Sequence, residues 1–157
     1  MLSYQRGSRS LQIGIYTDTC HTKARITDIN TQNIKDDLHQ TITPVITGFQ
    51  GVDPQGSITT FGRGGSDISA VAIAAALKAD ECQIYTDVAG VFTSDPRVVN
   101  SARCIDTITY KEMLALANLG AKVLQPRSVS FAHKYHVPLR VCSSFDAGKG
   151  TLIVDQS

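Results

Sequence analysis

Apolar and polar positions along the chain alternate in short blocks whose spacing switches between two and about 3.6. Residues 11–16 read as a strand, and the polar stretch 18–25, with His21, Lys23 and Arg25, reads as a loop. Ile34 and Leu38 stand four apart within 31–40, the spacing of a short amphipathic helix. Residues 44–49 predict a buried strand, Pro54-Gln55-Gly56-Ser57 is turn chemistry, and 58–61 complete a hairpin. The most apolar block, Ile68-Ser69-Ala70-Val71-Ala72-Ile73-Ala74-Ala75-Ala76-Leu77, predicts a helix that is buried almost all round. Ser66 or Asp67 stands where a side-chain oxygen can cap it.

The second half repeats the alternation. Residues 83–87 form a strand with the polar pair Thr86-Asp87 at its C-terminal end, where open α/β sheets place ligand groups. Thr109 followed three residues later by Glu112 predicts a capping box, for a helix through Asn118 that Gly120 stops. A helix at 128–135 and strands at 138–143 and 151–154 complete the reading. Strand and helix in this order predict an α/β domain with a mainly parallel sheet between helices. Residues 1–10 lack periodicity and read as a loose lead-in, and no repeat or low-complexity linker divides residues 11–157.

Composition narrows the function classes. The 157 residues are 42% hydrophobic and 18% charged, enough for one soluble globular domain with a real core. A formal charge of +1, without basic runs interleaved with aromatics, gives no general attraction to nucleic acid or anionic membranes, so any anion site must be local. The longest apolar run, 70–77, is too short to span a bilayer, and no secretory leader is expected, which points to the cytoplasm. Cys20, Cys82, Cys104 and Cys142 are scattered without a C-x-x-C pair, and the four histidines lack metal-ligand spacing. Reduced thiols and no protein-held metal are therefore expected.

One segment carries chemistry. In Thr59-Thr60-Phe61-Gly62-Arg63-Gly64-Gly65-Ser66-Asp67, Gly62, Gly64 and Gly65 surround an arginine directly ahead of the apolar helix. Glycines permit positive φ and close approach of a ligand, and the helix N-terminus offers free N–H groups and a positive dipole end. Arg63 adds a planar fork for a carboxylate or phosphate. Spacing alone serves an anion cradle and a tight connection equally well.

The surrounding residues resemble a known family. The segment 61–67, then Ala79-Asp80, then Tyr85-Thr86-Asp87-Val88-Ala89-Gly90-Val91-Phe92-Thr93-Ser94-Asp95-Pro96-Arg97, is similar in order and spacing to the catalytic domain of aspartate kinase, in the amino acid kinase superfamily. The resemblance extends to Thr17-Asp18 with residues 21–26, to Gly48-Phe49-Gln50-Gly51, to residues 112–113 through 120–127, and to Ser143-Ser144-Phe145. It covers nearly all of the chain from about Leu11 onward. The Gly-Arg-Gly-Gly-Ser-Asp element is specific, whereas Thr-Asp-x-x-Gly-Val-x-x-x-Asp-Pro is shared with uridylate, glutamate and acetylglutamate kinases.

This resemblance implies the amino acid kinase (carbamate kinase-like) fold and phosphoryl transfer from MgATP to the side-chain carboxylate of L-aspartate. Thr86, Asp87, Phe92, Arg97 and Lys122 fall where the family contacts ATP, with Phe92 where tyrosine is more usual. Arg63, Asp67 and Phe49 fall where aspartate binds, and Gly62, Gly64, Gly65 and Ser66 form the loop that carries Arg63 to Asp67. Lys122 and Asp67 are the implied catalytic residues. Two roles stay open for Asp67, accepting from the substrate ammonium or orienting catalytic lysines, beside that of a simple helix cap. Magnesium would arrive with the nucleotide.

The departures also carry expectations. The family's Lys-Phe-Gly-Gly-Thr-Ser strand and loop has no match here, and no ACT regulatory module follows, so the chain reads as the C-terminal, nucleotide-binding part of the catalytic domain. An open sheet edge would then favour self-association, or completion by the missing segments. A non-catalytic ATP-binding remnant is the alternative of a different class. A uridylate kinase is a third, against which the 63–67 element argues.

Overall fold

The structure, a computed structural model, describes residues 5–8, 14–121 and 123–155, the first group by backbone alone. It divides into two compact units, Met1–Leu77 and Lys78–Ser157. No linker marks that boundary in the sequence, which reads as one domain. The division falls where the long apolar helix ends on Lys78, a non-glycine residue at φ 53.

In the first unit β1 (Gln5–Ser8) pairs in parallel with β4 (Thr43–Ile46). A strand thus lies inside the stretch read as a loose lead-in. A second sheet has the order β3-β2-β5-β6, formed by β2 (Ile15–Thr17), β3 (Ile26–Ile29), β5 (Gln50–Val52) and β6 (Ile58–Thr60). Its central pair, β2 and β5, is parallel, and β3 and β6 are added antiparallel on either side. The hairpin around Pro54–Ser57 forms as expected: Asp53 Oδ1 accepts from the Gln55 and Ser57 N–H groups at 3.0 and 2.8 Å. The strand expected over 44–49 is shorter, ending as β4 at Ile46, and it is not buried, since Thr43 and Val45 are exposed; Phe49, at φ 73, precedes the start of β5.

Helix α1 (Gln32–His39) packs against β4, and α2 (Gly65–Leu77) against β3 and β5. No residue from 67 to 77 is exposed, as the apolar composition of 68–77, broken only by Ser69, leads one to expect. Ile15, Ala24, Ile34, Phe61 and Ile68 form the core of this unit.

The second unit is a four-stranded sheet of order β7-β9-β10-β8, built from β7 (Cys82–Thr86), β8 (Thr107–Thr109), β9 (Leu139–Ser143) and β10 (Thr151–Val154). β7 runs parallel to β9 and β8 parallel to β10, while β9 and β10 are antiparallel. Both larger sheets are thus mixed rather than wholly parallel. Helix α3 (Tyr110–Asn118) opens on the complete capping box: the Glu112 N–H donates to Thr109 Oγ1 at 3.2 Å, and the Thr109 N–H to Glu112 Oε2 at 2.9 Å. Helix α4 (Pro126–Tyr135) starts on a proline, ends at His136 in the left-handed conformation, and packs on α3. Register places Leu139 beside Ile153 and Ile153 beside Ile108, and all three are buried with Met113 and Val129 of the covering helices.

Candidate active-site loops

The Gly-rich segment of the first unit is a tight turn running into α2. Gly62 and Gly64 take φ 75 and 71, and the Gly65 N–H donates to the Gly62 carbonyl at 2.9 Å. At Gly62 a side chain has no space either, because a Cβ would lie 2.9 Å from the Thr22 carbonyl oxygen. That contact brings the polar loop 18–25 against the turn. The loop holds its shape through Asp18, whose Oδ1 accepts from the Cys20 and Arg25 N–H groups at 3.2 and 3.0 Å. Hydrogen bonding by the Arg25 N–H holds the Asp18 carboxyl below its ordinary value. The Thr60 N–H donates to the His21 carbonyl, and the Ala24 N–H to the Thr60 carbonyl.

Arg63 is exposed and makes no ion pair among the described residues. Asp67 lies in the first turn of α2, partly buried; burial pushes its carboxyl above the ordinary value, and a hydrogen bond with Ser66 pulls the other way. Phe49 joins the same loop. Its carbonyl accepts from the Phe61 N–H at 3.2 Å, its N–H donates to Ser69 Oγ at 3.2 Å, and its ring is against Gly65. The structure therefore assembles Phe49, Gly62, Arg63, Gly64, Gly65, Ser66 and Asp67 in one place. Ser69, which ties Phe49 to α2, is a residue that the sequence reading did not single out. An isolated serine within an apolar helix gives no signal of a partner twenty residues upstream.

In the second unit the C-terminal ends of β7 and β9 lie together, with Thr86 opposite Ser143. The Thr86 carbonyl accepts from the Ser144 N–H at 2.7 Å, and the Thr86 hydroxyl donates to Asp87 Oδ1 at 3.0 Å. Ser143 Oγ accepts from the N–H groups of Phe145 and Asp146, which folds the Ser-Ser-Phe stretch back over the strand end. Asp87 is exposed, and Phe92 is half-buried in a bridge with Cys104. Arg97 is 88% exposed and paired with Asp95 at 2.9 Å. That pairing, reinforced by Asp87, raises the guanidinium value further and holds the Asp95 carboxyl low.

The long segment after β7 is anchored by Thr151 of β10. Its buried hydroxyl accepts from the Val91 N–H at 2.8 Å and donates to the Ile105 carbonyl at 2.6 Å. Nothing in the sequence marks Thr151 for this task. Lys122 lies outside the described residues. No group of three His, Cys, Asp or Glu side chains suited to a metal ion occurs among the described residues, and no helix among them is long and apolar enough to cross a membrane.

With these two loop systems in view, comparison with known proteins gives a consistent picture. The sequence model of the amino acid kinase family matches residues 4–143. An aspartate kinase of Pseudomonas fluorescens is 63% identical over 142 residues, 90% of this chain and 34% of its own length. Aspartokinase 2 of Bacillus subtilis is 58% identical over 146 residues, 93% of this chain and 36% of its own length. Among solved structures, E. coli aspartokinase III in complex with aspartate and ADP superposes with a TM-score of 0.87 at 33% identity, over 99% of this chain and 36% of that one. The chain thus spans about a third of the length of the relatives it matches.

Proposed function

The chain belongs to the amino acid kinase family, and from that premise we propose that it is part of an aspartate kinase, transferring the γ-phosphoryl group of MgATP to the side-chain carboxylate of L-aspartate. The observation that carries the reading is the Gly62–Asp67 turn. It offers an exposed guanidinium, without an ion pair among the described residues, and a carboxylate in the first turn of a helix, complementary to the carboxylate and ammonium of an amino acid. Phe49 supplies an apolar wall beside them.

The roles follow from charge. Aspartate and ATP are both anionic, so the protein must chiefly neutralise charge and hold the carboxylate oxygen in line with the γ-phosphorus. The aspartate oxygen bonds to phosphorus as the bond to the bridging β,γ-oxygen breaks, yielding 4-phospho-L-aspartate and ADP, with no covalent enzyme intermediate. Arg63 grips a substrate carboxylate in the fork geometry. Asp67 accepts from the substrate ammonium. Thr86, Asp87, Phe92 and Arg97 receive the nucleotide, and Lys122 meets its phosphates. Magnesium would arrive as part of the MgATP substrate and help neutralise the phosphate charge, while the protein's own residues supply charge and position.

The test is calorimetric titration with MgATP and with L-aspartate, combined with hydroxylamine trapping of aspartyl phosphate. Trapped product with aspartate as acceptor supports the reading. MgATP binding without trapped product indicates a nucleotide-binding module instead, and phosphorylation of a nucleoside monophosphate would overturn the substrate assignment.

A further inference from the structure

Four non-glycine residues among those described have positive φ: Thr41, Phe49, Lys78 and His136. Lys78 and His136 follow helices, and Thr41 lies in the turn after α1. Phe49 is different, because it stands between β4 and β5 at φ 73, where a bulky side chain is strained. Such a conformation persists only when its surroundings hold it.

The Phe49 carbonyl accepts from the Phe61 N–H, and the Phe49 N–H meets a buried serine. Ser69, 1% exposed, accepts from the Phe49 N–H at 3.2 Å and donates its own hydroxyl proton to the Ser66 carbonyl at 2.8 Å. Packing closes the arrangement from both sides. A Cβ on Gly48 would lie 2.8 Å from Ser69 Oγ, and one on Gly65 would lie 2.8 Å from Phe49 Cδ2. Two glycines thus let the backbone of 48–49 approach the serine and the aromatic ring approach the turn. Phe49 remains 46% exposed, so its ring is both fixed and reachable.

We propose that Ser69 is a positioning residue for the amino-acid-binding loop. Its hydroxyl holds Phe49 in the left-handed conformation against Gly65, beside Arg63 and Asp67, without itself touching substrate. Without that bond the Phe49 N–H loses its partner and the backbone relaxes toward negative φ, swinging the ring off Gly65. This inference rests on the aspartate reading of the same loop.

The experiment compares the 157-residue chain with Ser69→Ala and Ser69→Cys. L-Aspartate and MgATP are titrated separately, and hydrogen exchange is followed at the Phe49 amide. Ser69→Ala should weaken aspartate binding by about tenfold, leave MgATP binding within about twofold, and remove protection at that amide. Ser69→Cys, retaining a weaker donor and acceptor, should fall between, and carries the comparison if Ser69→Ala does not melt cooperatively. Unchanged aspartate affinity, or equal loss for both ligands, would overturn the inference while leaving the proposed function intact. A wild-type chain that binds MgATP but not aspartate would overturn the aspartate reading and this inference together.

Discussion

Asp95 grips Arg97 side-on, accepting from Nε at 3.1 Å through Oδ1 and from Nη2 at 2.9 Å through Oδ2, while Oδ1 also takes the Arg97 N–H at 2.9 Å. A guanidinium carries five N–H donors, so with Nε and one Nη2 proton given to Asp95, the Nη1 donors of this exposed side chain remain uncommitted to that carboxylate. Arg97→Ala should weaken MgATP binding by about tenfold and spare aspartate. Arg97→Lys should not restore it, since an ammonium cannot be held by two parallel bonds in this way. Calorimetry on the two variants decides, and unchanged MgATP affinity would remove Arg97 from the nucleotide site.

Arg63 gives the complementary result. Its guanidinium makes no ion pair among the described residues, so Arg63→Ala should leave thermal stability unchanged. Aspartate binding should weaken by ~1.5–3 kcal/mol, the range for a charge-assisted contact, with MgATP binding preserved. Equal loss of both ligands would count against a substrate role.

For Asp67 the sign of the pH effect is set by burial, which raises its carboxyl above the ordinary value. A carboxyl raised in the folded state contributes stability fully present below the unfolded value, and loses it as pH rises through the folded one. Asp67→Asn should therefore hold or raise the urea midpoint at pH 7 while weakening aspartate binding. Wild-type aspartate affinity should fall on acidification at a higher pH than an ordinary carboxylate would require. A lower midpoint for Asp67→Asn would instead show that the charge of Asp67, in the first turn of α2, stabilises the helix N-terminus.

Tyr110 supplies a stability test remote from both loops. Its hydroxyl donates to the Val137 carbonyl at 2.5 Å, its ring stacks on His133 at 5.2 Å, and it is 2% exposed. Tyr110→Phe should cost ~1–3 kcal/mol, because the buried carbonyl is left without a donor. Burial, aided by the Asp155 charge, pushes the phenol from 10.0 up to about 12. The unfolded chain ionises first, so wild-type stability should decline between pH 10.0 and about 12. Denaturant midpoints of Tyr110→Phe should show no such decline.

Legibility in the sequence followed the range of the interaction. The Thr109–Glu112 capping box, the buried α2 and the Pro54–Ser57 turn each arise within a few residues, and each formed as read. β3 and β8, of four and three residues, are too short to display a period, and pairing alone makes them strands. The apolar run 44–49 reads as continuous because β propensity cannot reveal a left-handed residue. At the break, Ser69 and Gly65 meet Phe49 from twenty and sixteen residues away. Asp95 was visible two residues before Arg97, but its side-on grip was not.

By itself, the sequence determined the α/β alternation, the glycine turn before a buried helix, and the family to which those motifs belong, since local backbone preference and residue chemistry are carried by neighbours in the chain. Tertiary structure alone decided the mixed pairing of the two larger sheets, the division into two units, and the partners of Phe49 and Val91. The partners of Phe49 and Val91 are set by hydrogen bonds between residues 20 and 60 positions apart, which no local pattern encodes.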